Sequence, residues 1–173
     1  MLPPGHIAGG YLAGKVAAIW IPQLNQPEYL ALCALFGFFP DLDFFYVFYK
    51  KRKFIADEKI NHHEFVSHAP LLYLAVFLAW FALFPQTWLV ATTFILGTWS
   101  HFVIDTITTD GIAWLYPFSK KRFGLSPDPE IPLVDRKFWD FWTDFVKQYS
   151  KLISFKLETA IIVIAFITLI LSK

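Results

Sequence analysis

Apolar positions along this chain gather into long runs separated by short polar breaks, without the strict alternation of a half-buried strand. The runs cover 5–21, 28–49, 70–84, 87–106 and 157–172. A helix needs about 20 apolar residues to cross the hydrocarbon core of a bilayer, so each run reads as a candidate membrane span. The first carries Gly10 and Gly14 at small-xxx-small spacing, which lets helices approach closely. Its Lys15 leaves two readings open: a tilted helix with a snorkelling lysine, or a helix packed inside the bundle. The second run is interrupted by Pro40-Asp41-Leu42-Asp43, where Pro40 removes a backbone donor and kinks the helix. Pro70 suits a first helical turn, and Pro85-Gln86 makes a tight turn before a span ending at Thr106.

Between the fourth run and the last, the pattern changes twice. Residues 107–134 contain Gly111, Pro117, Gly124, Pro127, Pro129 and Pro132, which exclude long helices. From about Asp135 an amphipathic pattern follows, with Phe138, Trp142, Phe145, Tyr149 and Leu152 on one face. An aromatic, lysine-bearing helix of this kind belongs at a membrane interface, or else lies against the bundle. The expected fold is therefore all-α, a multi-pass transmembrane bundle of about five spans with a cytoplasmic interfacial helix. It forms one integral membrane domain over 1–173: a motif-bearing core at 5–124, the interfacial helix at about 135–153 and the last span at about 157–172.

Composition supports this reading. The chain is 56% hydrophobic and 20% aromatic, with mean hydropathy +0.47, and its 20 Phe and 7 Trp exceed what a soluble fold of this length could bury. Lipid is the natural solvent for the excess. The single Cys33 rules out an intramolecular disulfide and a Cys-rich zinc site. The net charge of +1 decides nothing, because the sign pattern along the chain matters more than the sum; nucleic acid is not expected as a partner. No basic n-region precedes the first run, so no cleavable signal peptide is expected. Of the 15 Lys and Arg, five lie at 50–59 and eight at 120–156. By the positive-inside rule both segments are cytoplasmic, which makes the N-terminus internal and the C-terminus external in a plasma-membrane protein.

This topology gives the histidines meaning. His6 begins the first run, His63 and His68 precede the third, and His101 and Asp105 end the fourth, four residues apart on one helical face. Asp41 and Asp43 follow the Pro40 break. Assigned from Lys and Arg alone, the topology collects these chelating residues into one cytoplasmic layer. Ionisable groups at membrane depth are costly and mark function. The set His6, Asp41, Asp43, His63, His68, His101 and Asp105 suits one or two divalent ions, zinc first, with manganese or iron as alternatives to it. Bound there, such an ion would bring the pKa of a coordinated water down to about 7 and make it a nucleophile. Read singly, the residues have plainer explanations. His101 could be a core histidine bonded to Ser100 or Thr98, His62 a solvated loop residue, and Lys50 to Lys53 topology determinants.

The order Gly5-His6, Pro40-Asp41-Leu42-Asp43, His63-Glu64-Phe65-Val66-Ser67-His68 and His101-x-x-x-Asp105, continuing through Thr108, Gly111 and Pro117, resembles the YdjM-like, LexA-regulated membrane-bound metal-dependent hydrolases. The similarity spans about residues 5–124. The family's second motif usually reads His-Arg-Gly-x-Thr-His-Ser. Here both histidines match, while the arginine, glycine and final serine do not. More distantly, the order is similar to zinc-dependent phospholipase C and the single-strand-specific nucleases. The resemblance implies hydrolysis of a phosphoester in a lipid or lipid-linked substrate, with Glu64 and Asp43 as candidate catalytic carboxylates. Lys120, Lys121 and Arg122 are candidates for binding its anionic headgroup. Two further readings stand beside it: a metal or proton transporter, and a structural protein whose metal clips the bundle.

Overall fold

The computed structural model describes residues 2–43, 66–108, 111–128 and 138–172. They form six α-helices: α1 (Pro3–Ala17), α2 (Pro27–Phe38), α3 (Pro70–Leu83), α4 (Trp88–Thr106), α5 (Phe138–Tyr149) and α6 (Ile153–Leu171). Proline opens α1, α2 and α3, where its missing N–H would have had no helical partner. Short 3-10 turns at Pro22–Asn25, Phe39–Leu42, Val66–His68 and Pro85–Thr87 re-aim the chain between helices. Among the described residues the β structure is one isolated antiparallel bridge, Ile112 to Phe123.

The helices differ from the apolar runs in where they stop. α1 ends at Ala17, before the turn at Pro22. A helix of that length rises about 22 Å, short of the roughly 30 Å hydrocarbon core. The rise of α3 is similar, about 21 Å. Among the described residues, two helical stretches are long and apolar enough to cross a membrane, Pro85–Thr106 and Ile153–Leu171. The last helix begins at Ile153, ahead of the expected 157, after a turn at 150–152 that separates it from α5. Residues 44–49 of the expected span 28–49 lie outside the described residues, as do Lys50 to Lys53, His62, His63 and Glu64.

Backbone-to-backbone packing of α1, α2 and α4 positions the site. A Cβ on Gly10 would lie 2.2 Å from the Cys33 carbonyl oxygen, and one on Gly97 2.6 Å from that same atom. At Gly37 it would lie 2.4 Å from the His6 carbonyl oxygen. Real side chains do not tolerate such contacts, so glycine at these three crossings brings the helices close enough for short side chains to meet. Around α4 an aromatic cluster of Tyr73, Phe94 and Phe102, with Ile112, fills the space toward α3. The outer faces stay apolar and exposed, as at Val16, Leu35, Leu78, Phe81 and Phe166.

Candidate metal centre

Each site residue is placed by a local feature of the sequence. His6 lies on the first turns of α1, beside the crossing with Gly37. Pro40 ends α2 and starts the 3-10 turn that points Asp41 inward, where it is buried, while Asp43 is half-buried. His68 closes the 3-10 turn that leads into α3. His101 and Asp105 share one face of α4.

Their side chains meet. His101 Nε2 is 3.0 Å from Asp105 Oδ2, 3.7 Å from Asp41 Oδ1 and 3.3 Å from His68 Nε2. His6 Nε2 is 3.3 Å from Asp105 Oδ1 and 3.8 Å from Asp41 Oδ2. His68 Nε2 is 3.5 Å from Asp41 Oδ1. The rings of His6 and His101 stack at 3.8 Å between centroids. His6, His68, His101 and Asp105 are each at most 1% exposed, and Asp41 is 7% exposed.

Hydrogen bonds to the far side of two rings fix which nitrogen faces this centre. His101 Nδ1 lies 2.8 Å from the Gly37 carbonyl oxygen. A backbone carbonyl can only accept, so Nδ1–H is the donor and, in the neutral ring, Nε2 carries the lone pair. His68 Nδ1 lies 3.2 Å from Asp43 Oδ2, which also accepts a hydrogen bond from Ser67 Oγ at 2.5 Å. That places the His68 Nδ1 hydrogen toward Asp43 and, in the neutral ring, its Nε2 lone pair toward the centre. Outer partners of this kind, a carbonyl and a carboxylate, orient metal-binding imidazoles in known sites. The alternative reading of His101 is not what the structure holds: Ser100 Oγ donates to the Gly97 carbonyl and Thr98 Oγ1 to that of Phe94.

This donor set fits a cation. Buried polar groups are normally hydrogen-bonded, yet neither ring nitrogen of the fully buried His6 has a hydrogen-bond partner among the described residues. Two buried carboxylates face three imidazoles in a low-dielectric interior, where a divalent ion would balance the carboxylate charge. Donors about 2.1 Å from a common ion stand roughly 3.0 to 3.4 Å apart, depending on coordination number. Several separations here, from 3.0 to 3.5 Å, lie in or beside that window. Two overlapping groups could hold an ion, His6–Asp41–His101 and His68–His101–Asp105. They share His101, so a single ion held there would draw on donors from both groups.

The chain as a whole has a known relation. The profile of the YdjM inner membrane protein family matches residues 1–173. The chain belongs to that family. It is a membrane protein, in keeping with its two membrane-length apolar helices. No curated protein and no solved structure matches it.

The family resemblance read from motifs in 5–124 thus extends over the full chain, and the structure shows how the last third joins the site. Glu158, buried on α6, accepts hydrogen bonds from the Tyr149 hydroxyl and, at 3.3 Å, from the Leu2 backbone N–H. Its Cγ would lie 2.7 Å from a Cβ on Gly5, the neighbour of His6. Asp128 caps α6 from 25 residues away: its carboxylate accepts from the backbone N–H of Ile153 at 2.9 Å and Ser154 at 2.8 Å, and from Ser154 Oγ at 2.6 Å. Burial would raise the Asp128 pKa, but these bonds outweigh it and hold it down to about 2. Sequence reasoning passed over both residues. Glu158 did leave a signal, as the sole acid in the apolar run 153–171. Lys120, Lys121 and Arg122 are exposed on the loop that follows α4.

Proposed function

We propose that this protein is a multi-pass membrane hydrolase. In this reading one divalent cation, zinc by the chemistry of its donors, is held by His6, Asp41, His68, His101 and Asp105 near the cytoplasmic face. The observation that carries it is the convergence, at the end of a membrane-length helix, of five buried donors in two overlapping groups, each of which could hold an ion. When bound, the cation would polarise an ester oxygen and lower the pKa of a water molecule to about 7. The chain's residues prepare that site. Gly37 and Asp43 hold the His101 and His68 rings in the tautomer that leaves Nε2 available, and the burial of the five donors keeps bulk water from weakening their charges. A phosphoester of a lipid or lipid-linked molecule is the substrate class favoured by a buried cation centre at a membrane surface, with phospholipase C-like cleavage as the reaction.

In this reading α1, α2 and α3, each shorter than the hydrocarbon core is thick, are embedded in the bilayer as well, since their exposed outer faces (Ile7, Val16, Leu35, Leu72, Leu78) are apolar enough to meet lipid. The basic segments at 50–59 and 120–156 set the cytoplasmic orientation. The test is turnover of a generic phosphodiester and of a mixed phospholipid substrate by protein purified in detergent. Zinc-loaded wild type should turn over one of them, and the chelator-stripped protein and Asp105→Asn should lose about 100-fold or more, a loss expected when a metal ligand is removed. Equal turnover in all three samples would refute the proposal. Zinc bound without any turnover would favour the clip reading, and zinc-dependent ion flux in liposomes the transporter.

A further inference from the structure

The loop that leaves α4 is a short hairpin with a fixed base and an exposed tip. At the base, Ile112 and Phe123 exchange backbone hydrogen bonds at 3.1 and 2.9 Å, and Leu125 N–H donates to the carbonyl of Thr106 at 2.8 Å. Gly111 makes the reversal possible: it sits at φ 61, and a Cβ there would lie 2.5 Å from the Phe123 carbonyl oxygen. Ile112 is fully buried in the aromatic core. Trp114 packs edge-on against Trp99 at 5.8 Å, and its Nε1–H donates to Thr106 Oγ1 at 2.9 Å. The base is therefore part of the folded bundle.

The tip has a different character. Phe118 is 88% exposed, Leu115 60% and Phe123 56%, and beside them Lys120, Lys121 and Arg122 are all exposed. Nothing in the fold of the described residues accounts for a rigidly based loop that holds large apolar side chains out. Its position limits what covers it. Thr106 is the last residue of a membrane-length apolar helix, and the hairpin's base is bonded to it, so the base lies at the level where that helix meets the headgroups and the tip stands close to it. Apolar side chains flanked by cations fit one surface there: acyl chains beneath a layer of anionic phosphate.

We propose that hairpin 111–125 is a membrane-docking loop. Leu115 and Phe118 insert into the headgroup–acyl boundary, and Lys120, Lys121 and Arg122 engage anionic phospholipid headgroups of the same leaflet. The assignment is independent of the metal centre and of the hydrolase reading. It gives the basic triplet a bulk-lipid role in place of substrate binding.

The test uses the full chain in a Cys33→Ala background, with an environment-sensitive fluorophore on Phe118→Cys. The labelled protein is placed in nanodiscs of phosphatidylcholine alone or mixed with phosphatidylglycerol. Leu115→Cys gives a second label site, and Gln23→Cys, in the exposed turn after α1, gives a water-facing reference. With phosphatidylglycerol present, labels at 118 and 115 should be quenched by a headgroup-proximal spin-labelled lipid and shielded from aqueous iodide. The ratio of inserted to free tip should drop about fivefold for each cation removed, as in Lys120→Gln and Lys121→Gln, from a contribution of about 1 kcal/mol per charge. Iodide access at 118 and 115 equal to that at 23 would overturn the proposal. So would quenching that ignores both lipid charge and the lysine variants, or a label that cross-links to a second copy in place of meeting lipid.

Discussion

Gly37→Ala is the substitution in which packing and metal binding are tied together most closely. The added methyl would lie 2.4 Å from the His6 carbonyl oxygen and 3.2 Å from Gly10 Cα, both backbone atoms that no rotamer change can move. α1 and α2 must therefore separate by several tenths of an ångström. Overpacking of this kind costs about 1–3 kcal/mol of stability. The larger consequence is local. Separation carries His6 away from Asp105 and Asp41, and it moves the Gly37 carbonyl that fixes His101 at 2.8 Å. Loss of an outer partner of a metal-binding imidazole typically costs roughly 10–100-fold in metal affinity, and here a ligand and an outer partner shift together, so a loss of about 100-fold is expected. The assay is zinc titration against a chromophoric chelator in detergent, alongside thermal melts with and without zinc. Val76→Ala, on an exposed face of α3, is the control and should change neither. If Gly37→Ala binds zinc as tightly as wild type while melting at a lower temperature, the close approach of α1 and α2 stabilises the bundle but does not build the centre, and the reasoning fails.

Two further expectations concern the parts that brace the site. Asp128→Ala removes the cap on α6 made through Ile153 and Ser154. Loss of a helix cap should cost about 1 kcal/mol, rising to about 2 kcal/mol in the strongest cases. Because the folded carboxyl is depressed from 3.8 to about 2, its contribution is complete above pH 3.8 and is lost as pH falls toward 2. The stability gap between wild type and variant should therefore close over that interval in melts run as a pH series; a gap that stays constant or widens would show that the carboxylate form is not what caps the helix. Tyr149→Phe deletes the hydroxyl that donates to buried Glu158. It should destabilise by about 1–3 kcal/mol, read by denaturant or thermal unfolding. An unchanged midpoint would mean that Glu158 is satisfied without it.

What the sequence carried and what it hid follow from the range of each interaction. His101 and Asp105 were legible because four-residue spacing on a helix puts both on one face, and Pro40 announced the break that turns Asp41 inward. Gly10 and Gly14 announced a close helix crossing by their spacing. The Gly37 carbonyl's hold on His101, 64 positions away, leaves no local pattern. The same is true of Asp128 capping α6 and of Glu158 meeting Leu2 across 156 positions. Helix ends were misjudged for a related reason. Hydropathy says which residues prefer lipid, not where the backbone stops being helical, so α1 ended before the apolar run did and α6 began before it.

The most direct measurement is the metal content of detergent-purified protein, by elemental analysis, for wild type, His101→Ala and the distant exposed control Val76→Ala. One divalent ion per chain in wild type and control, with less than about a tenth as much in His101→Ala, is the predicted result, since His101 belongs to both donor groups. Equal metal in all three, or none in any of them after purification with added zinc, would contradict a centre built by His6, Asp41, His68, His101 and Asp105.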